Sequence, residues 1–178
     1  ISMGVHLRPH RWLGQRTAAI YGKLYDYDLQ LYREGAHCIV SVFRNGDHLM
    51  LKVNGKTDAS SSADTATQLL SGHIPHLLHS DPKRSLVIGL GSGMTLGASL
   101  VHDLAHVDSV ELEPAVVEGA AAFNKLNRNA MDDPRVKNIV NDGRNHLLLE
   151  DSRYDVIISE PSNPWMAGVA SLFTEEFY

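Results

Sequence analysis

The sequence predicts an α/β protein, with a small antiparallel β domain followed by a parallel sheet that has helices on both faces. Three observations support this fold class. An Asn-Gly pair separates two apolar runs early in the chain, apolar β-branched runs alternate with helical patterns after residue 65, and a glycine-rich loop follows the first of those later runs. We expect residues 1–64 to form an N-terminal arm and the β domain, and residues 65–178 to form the α/β domain.

The β domain is predicted from a hairpin. The apolar runs 37–43 and 48–54 lie on either side of residues 44–47, which contain Asn45-Gly46. This dipeptide tolerates the positive φ angles that both central residues of a tight hairpin turn adopt. The aromatic-rich segment 18–35 is expected to add one or two strands, and the polar, serine-rich residues 58–67 to form the loop between the domains.

The second domain is predicted from alternating patterns. Residues 67–80 have helical apolar spacing, which we expect Gly72 and Pro75 to interrupt. Strands are then expected at 85–90, 107–112, 136–140 and 154–159, alternating with helices at 95–104, 114–127 and 144–150. Buried strands of this kind form a parallel sheet with right-handed crossovers. Because such a sheet normally continues after the fourth strand, we expect the C-terminal strands of the fold to be missing from this chain.

Composition excludes some classes of function. No run approaches the roughly 18 apolar residues of a membrane span, and Lys+Arg 16 against Asp+Glu 21, a net charge of -5, argues against a nucleic-acid partner. The single cysteine, Cys38, is expected in the core and fits a reducing, cytoplasmic compartment. The basic residues 6–16 form either an exposed arm or the cytoplasmic flank of a membrane segment in a longer parent chain.

A nucleoside site is predicted at the glycine loop. Gly89, Gly91 and Gly93 lie between a strand and a helix, and Met94 replaces the third glycine of a dinucleotide motif. The pattern is therefore more typical of an adenosine-bearing ligand without a pyrophosphate. Glu111 follows Gly91 by about 20 residues, where an acid can bind both ribose hydroxyls. The alternative is a structural turn with an incidental surface acid.

Two further acids end strands at the same edge of the sheet. Asp142 follows the third strand, where it either accepts a hydrogen bond from an adenine amino group or caps the next helix. Glu113, by contrast, is expected to begin a helix before Pro114. Glu160 ends the fourth strand and is a candidate catalytic carboxylate, and Trp165 after it lines a pocket or packs on the core.

Three histidines follow a regular spacing, at His73, His76 and His79. We expect Pro75 to break the helical face between the first two, and no neighbouring acid or cysteine completes a ligand set. We therefore interpret them as structural or surface histidines and predict no metal site.

The motifs together resemble those of the spermidine synthase-like polyamine aminopropyltransferases. The stretches VIGLGSGMT, VELEPAVVE, DDPRVKNIVNDGRN and YDVIISEPSNP occur in that family's order and spacing, over roughly residues 50 to 178. The details look most like a bacterial branch that is often fused to membrane segments. The resemblance implies a Rossmann-like domain of the AdoMet-dependent methyltransferase type behind a small β domain, and a possible homodimer.

The resemblance also implies roles for individual residues. Glu111 matches the ribose-binding acid and Asp142, followed by Gly143, the adenine-binding acid, with the loop 89–93 against the donor. Glu160 falls where the family has a catalytic aspartate, and Asn163 where it has a second aspartate near the amine. Asp58, Gln68, Asn163 and Trp165 are accordingly the candidate substrate-binding residues.

The sequence departs from the family on the amine side of that site. Ser92 replaces an aspartate that helps to hold the donor's aminopropyl ammonium, and a tyrosine-histidine-glutamate triplet reads here as roughly Ala66-Thr67-Gln68. A glutamine of the preceding loop appears as Asp58.

The implied reaction is transfer of an aminopropyl group to an amine such as putrescine. Its donor is decarboxylated S-adenosylmethionine (AdoMet), a co-substrate, and no tightly bound cofactor is implied. Ser92 in place of an acid also leaves methyl transfer from intact AdoMet open. The amide of Asn163 leaves a third possibility, a nucleoside-binding domain without catalysis.

Overall fold

The computed structural model describes residues 27–159 together with residues 172, 174 and 175. Within these residues the structure has two four-stranded sheets, an antiparallel one in the order β1-β2-β3-β4 and a parallel one in the order β7-β6-β5-β8. The strands are β1 Asp28–Glu34, β2 Ile39–Asn45, β3 His48–Val53, β4 Lys56–Ser60, β5 Arg84–Ile88, β6 His106–Glu111, β7 Val136–Val140 and β8 Val156–Ser159. The helices are α1 Thr65–Leu78, α2 Met94–Ser99, α3 Pro114–Ala120, α4 Asn124–Asn127 and α5 Gly143–Leu149, with 3-10 turns at Ala121–Phe123 and Ala130–Asp132. The predicted fold class is confirmed.

The β domain contains two tight hairpins. Asn45 pairs with His48, so the first turn is centred on Gly46 and Asp47, and of these two only Gly46 has a positive φ angle, 57°. The second turn, Asn54-Gly55, has φ angles of 50° and 83° and joins β3 to β4. Part of the predicted loop 58–67 is therefore wrong, because this turn sends residues 56–60 back along β3 as a fourth strand.

Helix α1 is continuous through Gly72 and Pro75, so the predicted interruption is wrong. A Cβ atom on Gly72 would lie 2.6 Å from the Cβ of Ala98, which shows that glycine here permits close packing of α1 against α2. The helix tolerates Pro75 in its last turn, and the amide of His79 still donates to the Pro75 carbonyl at 3.1 Å. Tertiary packing overrides the local preference of both residues.

The two sheets share one apolar core. Val42 and Leu51 of the antiparallel sheet belong to the same buried cluster as Val87 and Val107 of the parallel sheet. Helix α3 lies between them, and Gly119 on this helix closely approaches Leu51 and Val42. The β domain is therefore seated directly on the α/β domain, while the division at residues 64 and 65 stays a prediction.

Across the described ranges, no helix combines the length and the apolar character that a bilayer crossing requires. The basic segment 6–16 lies outside those ranges, so neither interpretation of it is tested.

Candidate nucleoside and amine site

A cavity of about 550 Å³ lies between the carboxyl edge of the parallel sheet and the β domain. The loops after β5, β6 and β7 line one side of it through residues 89–91, 111–113 and 141–143. The β domain lines the other side through residues 37–38 and 56–59. This is the edge at which ligands bind in open parallel sheets.

The glycine loop needs its three glycines for different reasons. Gly89, Gly91 and Gly93 have φ angles of 85°, 52° and 76°, a region that other residues rarely adopt. Gly89 and Gly91 line the cavity, where the absence of side chains leaves backbone open to a ligand. Gly93 instead caps α2 and approaches Asn127, whose side-chain amide lies 3.0 Å from the position of a Cβ atom on Gly93.

Glu111 is held at the cavity by backbone amides. The amide of Leu90 donates to Oε2 at 2.9 Å, and the amide of Glu113 donates to Oε1 at 3.0 Å. Burial raises the pKa of this carboxyl, against the effect of these hydrogen bonds. Each oxygen has a second lone pair, so the fixed carboxylate can still accept two hydroxyl hydrogen bonds.

Asp142 lines the same cavity and also caps α5. Its Oδ1 accepts from the amide of Asn145 at 2.8 Å, so the capping interpretation is observed. Gly143 lies beside it on the cavity wall, and a Cβ atom there would come within 2.5 Å of the Ile88 side chain. Glycine is therefore needed for α5 to begin so close to β5.

Ser92 and Gln68 form a buried link beneath the glycine loop. Ser92 is 1% exposed, is absent from the cavity lining and donates its hydroxyl hydrogen to the side-chain carbonyl of Gln68. The side-chain amide of Gln68 donates to the backbone carbonyl of Ser60 at 3.1 Å. The Thr95 hydroxyl donates to the backbone carbonyl of Gln68 at 3.1 Å. Gln68 also borders the cavity, so it joins β4, α1 and the glycine loop at the site.

The β domain and the start of α1 add charge to the cavity. Asp58 lines it from β4. Two further lining residues were missed by sequence reasoning, Lys56 at the start of β4 and Asp64 directly before α1. Asp64 accepts a hydrogen bond from the Ser60 hydroxyl at 2.9 Å. Its position directly before a helical run was the signal that could have drawn attention to it.

The histidines of α1 make structural contacts. His76 is buried, with Nδ1 2.6 Å from the Gly72 carbonyl and Nε2 2.7 Å from the Ser85 hydroxyl. His73 Nδ1 lies 3.0 Å from His102 Nε2. In the part of the chain that the structure describes, no three His, Cys, Asp or Glu side chains are grouped to hold a metal ion.

The predicted residues Glu160, Asn163 and Trp165 lie outside the described residues. Strand β8, which precedes Glu160 in the sequence, pairs with β5 so that Ser159 is opposite Ile88, just before the glycine loop. Ile158 of β8 lines the cavity.

Comparison with known proteins identifies similar chains. Residues 65–178 match the spermine/spermidine synthase domain. A polyamine aminopropyltransferase from Thermotoga petrophila is 30% identical over 141 residues, which is 78% of this chain and 48% of the relative. Another from Pectobacterium carotovorum is 32% identical over 165 residues, which is 90% of this chain and 57% of the relative.

Solved structures give a consistent result. A spermidine synthase in complex with the transition state analogue AdoDATO superimposes with a TM-score of 0.76 at 28% identity, covering 84% of this chain and 52% of that one. The spermidine synthase from Thermotoga maritima gives a TM-score of 0.74 with the same identity and covers 50% of that chain. The chain spans about half the length of these relatives. With its fold, its cavity and the match over residues 65–178 all in agreement, the chain belongs to the spermine/spermidine synthase domain family.

Proposed function

We propose that this protein transfers an aminopropyl group from decarboxylated AdoMet to an amine such as putrescine. The observation that supports it is the cavity at the carboxyl edge, where Glu111 and Asp142 border the open backbone of Gly89 and Gly91. In this proposal Glu111 binds the ribose hydroxyls and Asp142 the adenine amino group. The donor is a co-substrate, and no tightly bound cofactor is needed.

The charge of the cavity supports a cationic donor. Five carboxylates line it, whereas Lys56 is the one Lys or Arg among its described lining residues; the acids are Asp58, Asp64, Glu111, Glu113 and Asp142. Intact AdoMet carries a carboxylate that this lining would repel, and decarboxylated AdoMet lacks it. The same acids attract a protonated amine acceptor.

In the proposed reaction, the acceptor nitrogen attacks the aminopropyl carbon next to the sulfonium. A C–N bond forms, the C–S bond breaks, and its electron pair leaves with sulfur in neutral methylthioadenosine. The attacking amine must be neutral although alkyl amines are protonated at pH 7. We assign Glu160 to orient the ammonium and to accept its proton, as general base catalysis requires.

The remaining candidate residues lie on the amine side of the site. We assign Asp58 to attract the acceptor, and its position on the cavity wall in β4 supports this role. Gln68 borders the same space, although both of its side-chain polar atoms are hydrogen-bonded within the protein. Asn163 and Trp165 are assigned to the acceptor pocket on the family resemblance alone. The same proposal includes a homodimer, a cytoplasmic location and membrane segments in a longer parent chain.

Methyl transfer from intact AdoMet is a second candidate, because the buried Ser92 leaves the glycine loop without the family's acid. Calorimetry with decarboxylated AdoMet, AdoMet and methylthioadenosine, followed by product analysis with putrescine, distinguishes the two. We expect preferential binding of the decarboxylated donor and an aminopropylated product. If the protein bound AdoMet more tightly than decarboxylated AdoMet and formed a methylated product, the proposal would be overturned. Binding without turnover would favour a non-catalytic nucleoside-binding domain.

The assignment of Glu160 has its own test. Glu160→Gln removes the proton acceptor with little change in shape, so we expect kcat to fall by about 10² to 10⁴ while methylthioadenosine still binds. Glu118→Gln, on the outer face of α3, is the control and should leave kcat unchanged. An unaltered rate in Glu160→Gln would show that the carboxylate is wrongly assigned.

A further inference from the structure

Glu113 makes more contacts than a helix cap requires. Its Oε1 accepts from the amide of Ala115 at 3.1 Å, which caps α3. Its Oε2 reaches in the other direction and accepts from the amide of His37 at 2.8 Å, in the turn between β1 and β2. The residue is 4% exposed although it carries a charge. Burial opposes that charge, yet backbone hydrogen bonds from His37, Ala115 and Cys38 lower the pKa of the carboxyl.

The turn between β1 and β2 has a glycine, Gly35, where the Glu113 carboxylate packs against it. A Cβ atom on Gly35 would lie 2.3 Å from Oε1 and 2.6 Å from Oε2 of Glu113. Gly35 is not in the positive φ region, so space for the carboxylate, and not backbone conformation, is what requires glycine here. The amide of Gly35 closes the turn by donating to the Cys38 carbonyl at 2.9 Å.

The same residue is connected to the nucleoside site on its other side. The backbone amide of Glu113 donates to Oε1 of Glu111, the proposed ribose-binding acid. His37 and Cys38, at the end of the turn that Glu113 holds, line the cavity. One residue therefore contacts both the wall of the cavity and the acid within it.

We infer that Glu113 is a positioning residue that holds the 35–38 turn of the β domain as a wall of the nucleoside site beside Glu111. The inference rests on the proposed nucleoside site and adds that the β domain contributes to ligand affinity through this carboxylate. Loss of the link frees the turn from α3 and loosens the wall, without removing any group that contacts the reacting atoms.

Two variants separate this role from helix capping. Glu113→Asp keeps the negative charge and a side chain that caps helices well, but it is one methylene too short to hold both α3 and the turn. Gly35→Ala keeps Glu113 itself and displaces its carboxylate by steric contact. The control is Glu118→Gln, because Glu118 joins the same helix to β1 through an exposed ion pair with Arg33 at 2.8 Å, and such pairs contribute little.

Cys38 provides a measurement that does not depend on turnover. It is the single cysteine of the sequence, is half-buried and lies at the end of the held turn. Its rate of reaction with a disulfide reagent therefore reports how often the turn opens. Burial is the main cause that raises the pKa of the Cys38 thiol, ahead of the charge of Glu113, and both variants retain a carboxylate at position 113.

We expect Glu113→Asp and Gly35→Ala to bind methylthioadenosine about tenfold more weakly than the unaltered chain does. In both variants KM for the donor should rise while kcat changes little. Cys38 should be labelled several-fold faster. Saturating methylthioadenosine should slow that labelling in the unaltered chain. Unchanged affinity and labelling in Glu113→Asp would overturn the inference, and so would weaker binding without faster labelling. If the unaltered chain bound no methylthioadenosine, the proposed function would fail instead, and the labelling rates alone would decide whether Glu113 holds the turn.

Discussion

Asp142 combines a structural contact with a place on the cavity wall, and substitution can separate the two. Asparagine caps helices as well as aspartate does, so Asp142→Asn should change the free energy of unfolding by less than about 0.5 kcal/mol, whereas Asp142→Ala should lower it by about 1 kcal/mol. Both variants lose the charge that faces the proposed adenine pocket and should bind methylthioadenosine several-fold more weakly. Urea unfolding and calorimetry measure the two effects. Equal affinity in Asp142→Asn and the unaltered chain would limit Asp142 to capping.

Single residues also show why the amine side of the site was harder to predict. The family resemblance implies a place for Ser92 in the donor site, but its side chain turns inward to Gln68, and only residues 89–91 of the loop line the cavity. The direction of a short polar side chain depends on which partner is nearby in three dimensions. That partner, 24 positions earlier in the chain, gives no local signal.

At the level of elements, a buried hydrogen-bond network joins β6 to α5 through Tyr154. Asp108 is 2% exposed; its Oδ2 accepts from the Tyr154 hydroxyl at 2.7 Å, and its Oδ1 lies 2.9 Å from His106 Nε2. The Tyr154 oxygen also lies 2.9 Å from His146 Nε2 on α5. Burial opposes the charge on Asp108, but its hydrogen bonds with Tyr154 and His106 lower the pKa of the carboxyl.

Removing the Tyr154 hydroxyl should therefore destabilise the fold. Tyr154→Phe leaves a buried carboxylate oxygen without its donor, and we expect the free energy of unfolding to fall by about 1–3 kcal/mol. Urea denaturation measures the change. The exposed Tyr27, substituted in the same way, is the control. Equal losses in the two variants would mean that the network does not stabilise the parallel sheet.

The contact between α1 and the turn that follows α2 should make stability depend on pH. Burial lowers the pKa of His76 and of His102, and the rings of these two residues stack with centroids 5.0 Å apart. Both histidines are therefore preferentially neutral in the folded state. Below about pH 6.5 the unfolded chain binds more protons than the folded chain, so stability is full at neutral pH and declines as the pH falls, by at most about 1.4 kcal/mol per pH unit for each histidine.

Chemical denaturation at pH 7.5, 6.5 and 5.5, values spaced about the ordinary pKa of histidine, measures this dependence. His102→Asn removes one of the two groups and the ring that stacks on the other, and should make the decline shallower. His48→Asn, on an exposed strand end, should leave the decline unchanged. A steeper or identical decline in His102→Asn would contradict the assignment to this contact.

The elements that sequence predicted well are those whose signal is local. Continuous β-branched runs and the glycine loop identified the parallel sheet and its ligand edge, and this was enough to predict that Glu111 and Asp142 lie at that edge. The predicted interruption of α1 at Gly72 and Pro75 was wrong, because the packing of α1 on α2 keeps the helix continuous there. The turn Asn54-Gly55 carries the same Asn-Gly hairpin signal as Asn45-Gly46, and because it was overlooked, β4 was predicted to be a loop.

At the scale of the whole molecule, the candidate site is a cavity between two sheets that share a core. The parallel sheet supplies Glu111 and Asp142, while the β domain supplies Asp58 and Lys56 from across the cavity. Sequence patterns do not fix how two domains face each other, so the contribution of the β domain to the site emerges only from the fold. The carboxylates of both domains converge on this space in a chain with a net charge of -5.

This convergence predicts how salt affects binding. Attraction between the acidic lining and a cationic ligand is screened as ionic strength rises, because the Debye length falls from about 10 Å at 0.1 M to about 3 Å at 1 M. Affinity for decarboxylated AdoMet should therefore weaken several-fold as salt rises through that range, while affinity for neutral methylthioadenosine should change little. Calorimetry of both ligands in the same buffers measures the difference. Asp58→Asn should reduce the salt dependence of binding, whereas the control Asp47→Asn, in the distant β2–β3 turn, should leave it unchanged. The same salt dependence for both ligands would show that the acids do not select for positive charge.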